Sequence, residues 1–133
     1  MFVTKKLADG ATNRLRERGV ADEDVTIAWV PGSFELPTAA NWAAKSGNFD
    51  AVICIGTVIR GETTHYELVS EGAANGIAQV ALDTGVPVAF GVIATENAQQ
   101  ATDRAGGKEG NKGEEAAQTA IEMANLRKTM GTS

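Results

Sequence analysis

The chain has 133 residues and a formal net charge of −5 at pH 7, because 17 acidic side chains outnumber 12 lysines and arginines. We expect residues 1–133 to form a single domain, since this length supports one core and the sequence shows no linker or repeat. The acidic balance argues against a general nucleic-acid or anionic-membrane surface, where phosphate groups would be repelled.

The distribution of cysteine, histidine and apolar residues argues against a secreted, a membrane-spanning and a metal-binding protein. The single cysteine, Cys54, cannot form an internal disulfide, which is typical of a reducing compartment and predicts a cytoplasmic protein. We expect no signal peptide and no transmembrane helix, because no apolar run reaches about 18 residues. We also expect no metal site, because cysteine and histidine do not cluster.

The first predicted element is a helix. Val3, Leu7, Ala11 and Leu15 recur every four residues, which predicts an amphipathic helix that ends at Gly19. A parallel α/β domain normally places a strand before its first helix. We therefore expect the opening strand of the sheet to be missing from this sequence.

Residues 24–30 are rich in β-branched side chains and alternate at Val25, Ile27 and Trp29, which predicts a strand that ends at Pro31. The predicted strand is followed by a turn that carries polar and aromatic side chains.

Ser33, Phe34 and Glu35 lie on the turn before a helix that Pro37 can start and that runs to about Ser46. Two interpretations stay open for this turn. Either Phe34 caps the core and Glu35 complements the helix dipole, or both side chains contact a ligand.

The central predicted element is an apolar strand at residues 51–55, which we expect to be buried on both faces of a parallel sheet. Ligands bind outside the carboxyl ends of such strands. Here Gly61 allows a sharp turn, and Thr63 or Thr64 can cap the next helix and leave amide groups for an anion. His65, the only histidine, lies in the first helical turn and can transfer protons. The alternative is a capped helix with a surface histidine.

The next helix, at residues 66–83, contains Gly72 and Gly76. Each glycine costs about 1 kcal/mol relative to alanine in a helix interior, so both suggest close contact with another helix or subunit. Residues 87–93 are predicted to form another buried strand, in which Phe90 fits an ordinary core position.

A short helix at residues 98–105 is followed by a glycine-rich loop at 104–113 and a final helix at 114–130. The loop contains three cations, Arg104, Lys108 and Lys112. The glycines would let the loop curl and direct these cations at one anion, although a charge run is usually a solvated face. The alternation of strands and helices predicts an α/β fold.

Five segments match, in order, a family of known enzymes. They are VPGSFELP, GTVIRGETTHYE, GVPVAFGVI, RAGGKEGNKG and AIEMANL, and they resemble 6,7-dimethyl-8-ribityllumazine synthases over nearly the whole chain. The resemblance implies the penultimate step of riboflavin synthesis. In this step 5-amino-6-(D-ribitylamino)uracil condenses with 3,4-dihydroxy-2-butanone 4-phosphate, phosphate and water are lost, and no cofactor is needed.

The resemblance also implies a structure and partners. The fold would be a flavodoxin-like three-layer α/β/α sandwich with a four-stranded parallel sheet. Subunits would assemble into pentamers or larger shells, with each site shared by neighbours, and riboflavin synthase is a candidate protein partner.

Residue by residue, the resemblance assigns roles to strand ends and turns. His65 matches a proton-transfer histidine, and Arg104 matches an arginine that pairs with the substrate phosphate. Glu62 and Thr63 match the turn that receives this phosphate, and Phe90 matches an aromatic donated by the adjacent subunit. The residues that match contacts to the ribityl chain and the pyrimidine are Ser33, Phe34, Glu35, Thr57, Val58 and Ile59. Two further residues that match positions near the site are Lys112 and Glu115.

The sequence departs from the family pattern at its start. Family members begin with a strand and an Arg-Phe-Asn motif whose aromatic stacks on the pyrimidine, whereas this sequence starts just after that motif. Phe2 is expected to lie too far into the first helix to replace it, so the stacking partner would be absent. One alternative hypothesis is therefore a shell subunit of the same family with little activity, and another is a phosphate-binding module with a different ligand.

Overall fold

The computed structural model describes residues 2–62 and 65–131. The helices within this part of the chain are Phe2–Glu17 (α1), Leu36–Lys45 (α2), Tyr66–Thr84 (α3), Ala98–Asp103 (α4) and Lys112–Thr129 (α5). The strands are Val52–Ile59 (β1), Val88–Thr95 (β2), Ala105–Gly107 (β3) and Gly110–Asn111 (β4). All five predicted helices are confirmed, with bounds that differ by a few residues. None of the described helices is long and apolar enough to cross a membrane.

The central sheet joins β1 and β2 in parallel, with a register that pairs Val52 with Val88 and Ile59 with Thr95. β1 is longer than predicted, because its pairing with β2 continues through residues 56–59. Both strands therefore end at the same edge of the sheet, and the polar turn after β1 begins at Arg60 rather than at Gly56.

Helices cover both faces of this sheet. On one face, Cys54 and Val58 pack in a core with small and branched residues of α2 and α3. On the other face, Ile55 packs against Leu7 of α1 and against alanines of α5. The alternation of side chains along β1 thus supplies two cores, as a strand buried on both faces must. The predicted three-layer α/β/α fold with a parallel sheet is confirmed.

The predicted strand at residues 24–30 is wrong. Asp22–Asp24 form a 3-10 turn, and residues 25–30 pair with no other described strand. Ile27 and Trp29 keep 56% and 55% of their surface exposed. β-branched residues favour extended backbone, but a strand also needs a hydrogen-bonded neighbour, and within residues 2–62 and 65–131 the parallel sheet has two strands rather than four.

The glycines of α3 face another helix of the same chain. A Cβ added at Gly72 would lie 2.6 Å from Cε1 of Phe34, and one at Gly76 would lie 2.6 Å from Cγ of Pro37. Residues at the start of α2 and in the turn before it therefore occupy the space beside Gly72 and Gly76. The two glycines give no support to contact with another subunit.

The glycine-rich segment is more ordered than predicted. β3 and β4 pair in an antiparallel hairpin, and α5 starts inside the expected loop, at Lys112. The side chain of Asn111 makes this early start favourable, because its Oδ1 accepts hydrogen bonds from the amides of Gly113 (2.8 Å) and Glu114 (3.1 Å).

Candidate functional site

A cleft of about 350 Å³ opens at the carboxyl end of β1, and we call it the β1 cleft. Its lining includes Phe2, Thr4, Ser33, Thr57, Ile59 and Glu62. This position outside a strand end is where open α/β sheets usually bind ligands.

Ser33 reaches the β1 cleft because its turn lies directly on β1. Ser33–Glu35 form a 3-10 turn, and a Cβ added at Gly56 would lie 2.5 Å from Ser33 Oγ. A larger residue at position 56 would crowd the side chains of Ser33 and Leu36. The turn presents one hydroxyl to the cleft.

Phe34 and Glu35 leave the same turn in other directions. One edge of the Phe34 ring packs against Gly72 of α3, while 57% of the residue stays exposed. Glu35 is exposed and precedes α2 without capping it through its side chain. Neither residue is among those that line the β1 cleft.

Thr57 links the cleft to α1, since its Oγ1 lies 2.9 Å from Oγ1 of Thr4. Phe2, the first residue of α1, also lines the cleft and is 70% exposed. The start of α1 therefore brings an aromatic side chain to the β1 cleft. Thr4 is a cleft residue that sequence reasoning missed, because no local pattern shows that α1 lies beside the end of β1.

The last two residues of β1 contribute differently to the cleft. The Val58 side chain is 4% exposed and belongs to the core with α2 and α3, so mainly its backbone is available to a ligand. Ile59 is half-buried and packs toward α1.

The turn after β1 carries Glu62 and His65. Gly61 has a φ of 92°, a left-handed conformation that favours glycine, and the Glu62 amide donates to the Ile59 carbonyl at 3.1 Å. His65 is exposed and occupies the N-cap position of α3, one residue earlier than predicted, and its carbonyl accepts a hydrogen bond from Val69. His65 is not among the residues that line the cleft.

Thr63 and Thr64 lie outside the described residues. The phosphate-turn assignment of Thr63 and the capping role of either threonine therefore stay predictions.

A second cleft, of about 510 Å³, runs along β2, and we call it the β2 cleft. Its lining includes Phe90, Ile93, Ala94, Arg104, Glu109 and Lys112. Phe90 is 49% exposed, so its ring is available here and is not the ordinary core residue that the pattern alone suggested.

Arg104 is fixed in the β2 cleft by its backbone. It follows α4, its amide donates to the Ala101 carbonyl at 3.1 Å, and its carbonyl accepts from the Lys112 amide at 2.9 Å. The residue is half-buried, and its guanidinium makes no ion pair within residues 2–62 and 65–131. A positioned arginine without a carboxylate partner is well suited to hold an anion.

Two of the three cations in the predicted glycine-rich loop line the same cleft. Lys112 lines the β2 cleft with Arg104, and its Nζ contacts Oε1 of Glu115 at 3.1 Å. Lys108 is 76% exposed, contacts Asp103 at 4.0 Å and is not among the lining residues. The hairpin turns Lys108 away from the cleft.

The two clefts have no lining residue in common. Ser33, Thr57 and Glu62 belong to the β1 cleft, whereas Phe90 and Arg104 belong to the β2 cleft. The resemblance assigns all five residues to a site shared by neighbouring subunits, with Phe90 donated by the adjacent one, and within a single copy they lie in two separate clefts.

Cys54 is a core residue. It is 3% exposed, and burial raises the pKa of its thiol to about 12, so it is neutral at physiological pH and unsuited to nucleophilic chemistry. Among the described side chains, no group of three or more His, Cys, Asp or Glu is placed to hold a metal ion.

A family model described as 6,7-dimethyl-8-ribityllumazine synthase matches residues 1–128.

Proposed function

This chain belongs to the 6,7-dimethyl-8-ribityllumazine synthase family, a family of riboflavin biosynthesis, and on that premise we propose that the chain is an active transferase. The proposed reaction condenses 5-amino-6-(D-ribitylamino)uracil with 3,4-dihydroxy-2-butanone 4-phosphate and releases phosphate and water. The observation that carries the proposal is the presence of two clefts, one with hydroxyl groups at the end of β1 and one with cationic side chains along β2.

The β1 cleft is proposed to bind the pyrimidine and its ribityl chain. Hydroxyl groups of Ser33 and Thr57 can exchange hydrogen bonds with a polyol, and backbone groups of Val58 and Ile59 can bond the ring. Phe34 and Glu35 would contact the ligand at the edge of the cleft. The Phe2 ring supplies an apolar face in the cleft, which supports an active enzyme over an inactive shell subunit.

The β2 cleft is proposed to bind the phosphate of the second substrate. The Arg104 guanidinium can make two parallel hydrogen bonds to phosphate oxygens, and Lys112 adds a second cation. Glu62 and Thr63, on the turn after β1, would face this phosphate from the other side.

A complete site would then need two copies of the chain. Because the clefts have no lining residue in common, we propose that the β1 cleft of one copy meets the β2 cleft of its neighbour. Phe90 and Arg104 would come from the same neighbour. A cyclic homo-oligomer built on pentamers satisfies this arrangement, because each copy offers one cleft to each side.

His65 is proposed to transfer protons during amine addition, phosphate loss and ring closure. It is exposed at the start of α3 and lies on the same turn as Glu62, so a second copy can cover it while α3 stays folded. Positioning of the two reactants would supply most of the rate enhancement, because an amine and a ketone react readily once held together.

The proposal is tested by supplying both substrates to the purified full chain. Product formation is followed by absorbance and mass, and phosphate release is measured in parallel. We expect stoichiometric product and phosphate. Assembled, folded protein that forms neither would overturn the proposal and favour the shell-subunit hypothesis. Binding of inorganic phosphate without turnover would favour the phosphate-binding module.

A further inference from the structure

Arg60 is an exposed residue whose side chain contacts three others. Its Nη1 donates to Oε1 of Glu67 at 2.6 Å, and its Nε lies 3.0 Å from Oε1 of Glu96. The guanidinium also stacks over the ring of Tyr66, 4.3 Å from the ring centroid. One planar side chain thus contacts two carboxylates and an aromatic ring.

These partners belong to three different elements. Arg60 directly follows β1, Glu96 directly follows β2, and Tyr66 and Glu67 open α3. The Arg60 amide also donates to the Thr95 carbonyl at 2.8 Å, which extends the pairing of the two strands by one residue. The side chain therefore joins the two strand ends to the helix that follows.

The contacts favour the charged forms of the groups involved. The hydrogen bond to Glu67, followed by that to Glu96, raises the pKa of Arg60. The same hydrogen bond is the main cause of the lowered pKa of Glu67. The arginine side chain is 46% exposed, so solvent screens these pairs and we expect them to add little to overall stability.

These contacts flank the turn after β1, which carries Glu62 and His65. We propose that Arg60 is a positioning residue for the reaction: by holding Tyr66, Glu67 and Glu96, it fixes both ends of this turn relative to the β1 cleft. The inference rests on the proposed function, because positioning matters only if the turn acts on a substrate. Lysine could keep the charge but not the planar, forked geometry.

The test uses Arg60→Ala and Arg60→Lys in the full-length chain, with kcat and KM determined for each substrate. We expect kcat to fall about 10-fold, within the roughly 10²-fold that a misplaced group can cost. KM should rise for the butanone phosphate and change little for the pyrimidine, whose proposed contacts at Ser33 and Thr57 lie outside the turn. Arg60→Lys should recover only part of the loss.

Glu67→Gln and Glu96→Gln separate positioning from simple attraction of the phosphate by Arg60. Each removes a negative charge and weakens the anchor while Arg60 keeps its own charge. Positioning predicts a higher KM for the butanone phosphate in both variants, as in Arg60→Ala. A lower KM would mean that Arg60 acts through its charge, and the proposal would be overturned.

Arg16→Ala is the matched control, because Arg16 is an exposed arginine whose ion pair is with Asp22, away from the turn. It should leave both KM values and kcat unchanged. Unfolding temperatures of all variants show whether the fold is retained, and the glutamine variants keep the proposal testable if Arg60→Ala fails to fold.

Amide hydrogen exchange over residues 61–69 gives a readout that does not depend on turnover. We expect faster exchange there in Arg60→Ala than in the wild type. If Arg60→Ala left both exchange and kinetics unchanged in an active protein, the role of Arg60 would be overturned and the proposed function would stand. An inactive wild type would instead overturn the proposed function, and exchange would still decide whether Arg60 orders the turn.

Discussion

The exposed position of His65, one residue before α3, separates its contribution to turnover from its contribution to folding. A side chain outside the core can be removed without leaving a cavity, so its loss should be visible mainly in the chemistry.

We predict that His65→Ala slows turnover and leaves the unfolding temperature close to that of the wild type. Proton transfer by a side chain typically contributes about 10²- to 10⁴-fold, and we expect the low end because the bound reactants can react unaided. Steady-state kinetics and thermal unfolding measure the two quantities, with exposed Glu71→Ala on α3 as the control. A variant that unfolds yet keeps its specific activity per folded site would show that His65 is structural.

Arg104 differs from His65 because it is half-buried and its backbone is held by α4 and α5. We predict that Arg104→Ala weakens use of the butanone phosphate by about 2 to 3 kcal/mol, the upper range for a charged hydrogen bond. Affinity for the pyrimidine should change far less, because the proposed ring contacts lie in the β1 cleft.

Substrate titrations of Arg104→Ala and Lys108→Ala provide the comparison. Lys108 lies on the hairpin that follows Arg104 but does not line the β2 cleft, so its removal controls for the loss of one positive charge. Equal losses of affinity for both substrates in Arg104→Ala would count against a phosphate-binding role.

At the scale of elements, sequence patterns located the helices because each has a strong periodic or terminal signal. Leu7 and Ala11 mark the inner face of α1, and Pro37 marks the start of α2. Residues 24–30 show the limit of this reasoning, since alternation gives the tendency to extend but not the neighbour that makes a strand.

The candidate site shows a similar division. The strand ends and their polar turns were predictable, because a buried strand followed by glycine and polar residues is a local signal. The distribution of Ser33 and Arg104 between two clefts was not predictable, because it depends on how the hairpin and α4 fold back beside β2. The contact of Phe34 with Gly72 is likewise a tertiary contact that spacing does not encode.

We predict that Gly76→Leu destabilises the chain itself. The new side chain would collide with Pro37, and overpacking typically costs about 1–3 kcal/mol, offset by up to about 1 kcal/mol from replacing a helical glycine. Urea unfolding measures the change, and Asn75→Leu, on the exposed neighbouring position of α3, is the matched control.

The same variant also tests whether the face of α3 that carries Gly76 packs on α2 or on another copy of the chain. If Gly76→Leu lowers the assembled mass in light scattering but leaves the free energy of unfolding unchanged, α3 would face another copy, contrary to its packing on α2.

At the scale of the whole molecule, the two clefts predict a specific behaviour of mixed assemblies. At low concentrations of the butanone phosphate, assemblies of His65→Ala chains alone or of Arg104→Ala chains alone should be much slower than the wild type, yet mixed assemblies of the two should regain activity. With random mixing about a quarter of the sites would take an intact His65 from one copy and an intact Arg104 from the next.

Activity is measured before and after the two variants are dissociated, mixed and reassembled, and light scattering confirms the assembly. His65→Ala mixed with Glu62→Ala is the control. In the proposed site both residues come from the same copy, and neither variant chain keeps both intact, so mixing cannot restore a complete site. Failure of the first mixture to recover activity, in fully assembled particles, would contradict the shared site. A folded, active monomer would contradict it as well.

The separation of the two clefts also connects ligand affinity to protein concentration. If a ligand contacts Ser33 and Thr57 on one copy and Arg104 on another, it binds the associated form more tightly than the free chain. By thermodynamic linkage, each occupied site then stabilises the contact between its two copies, and dilution weakens both binding and association together. For a chain of this kind, a measured dissociation constant describes the substrate and the neighbouring subunit at once.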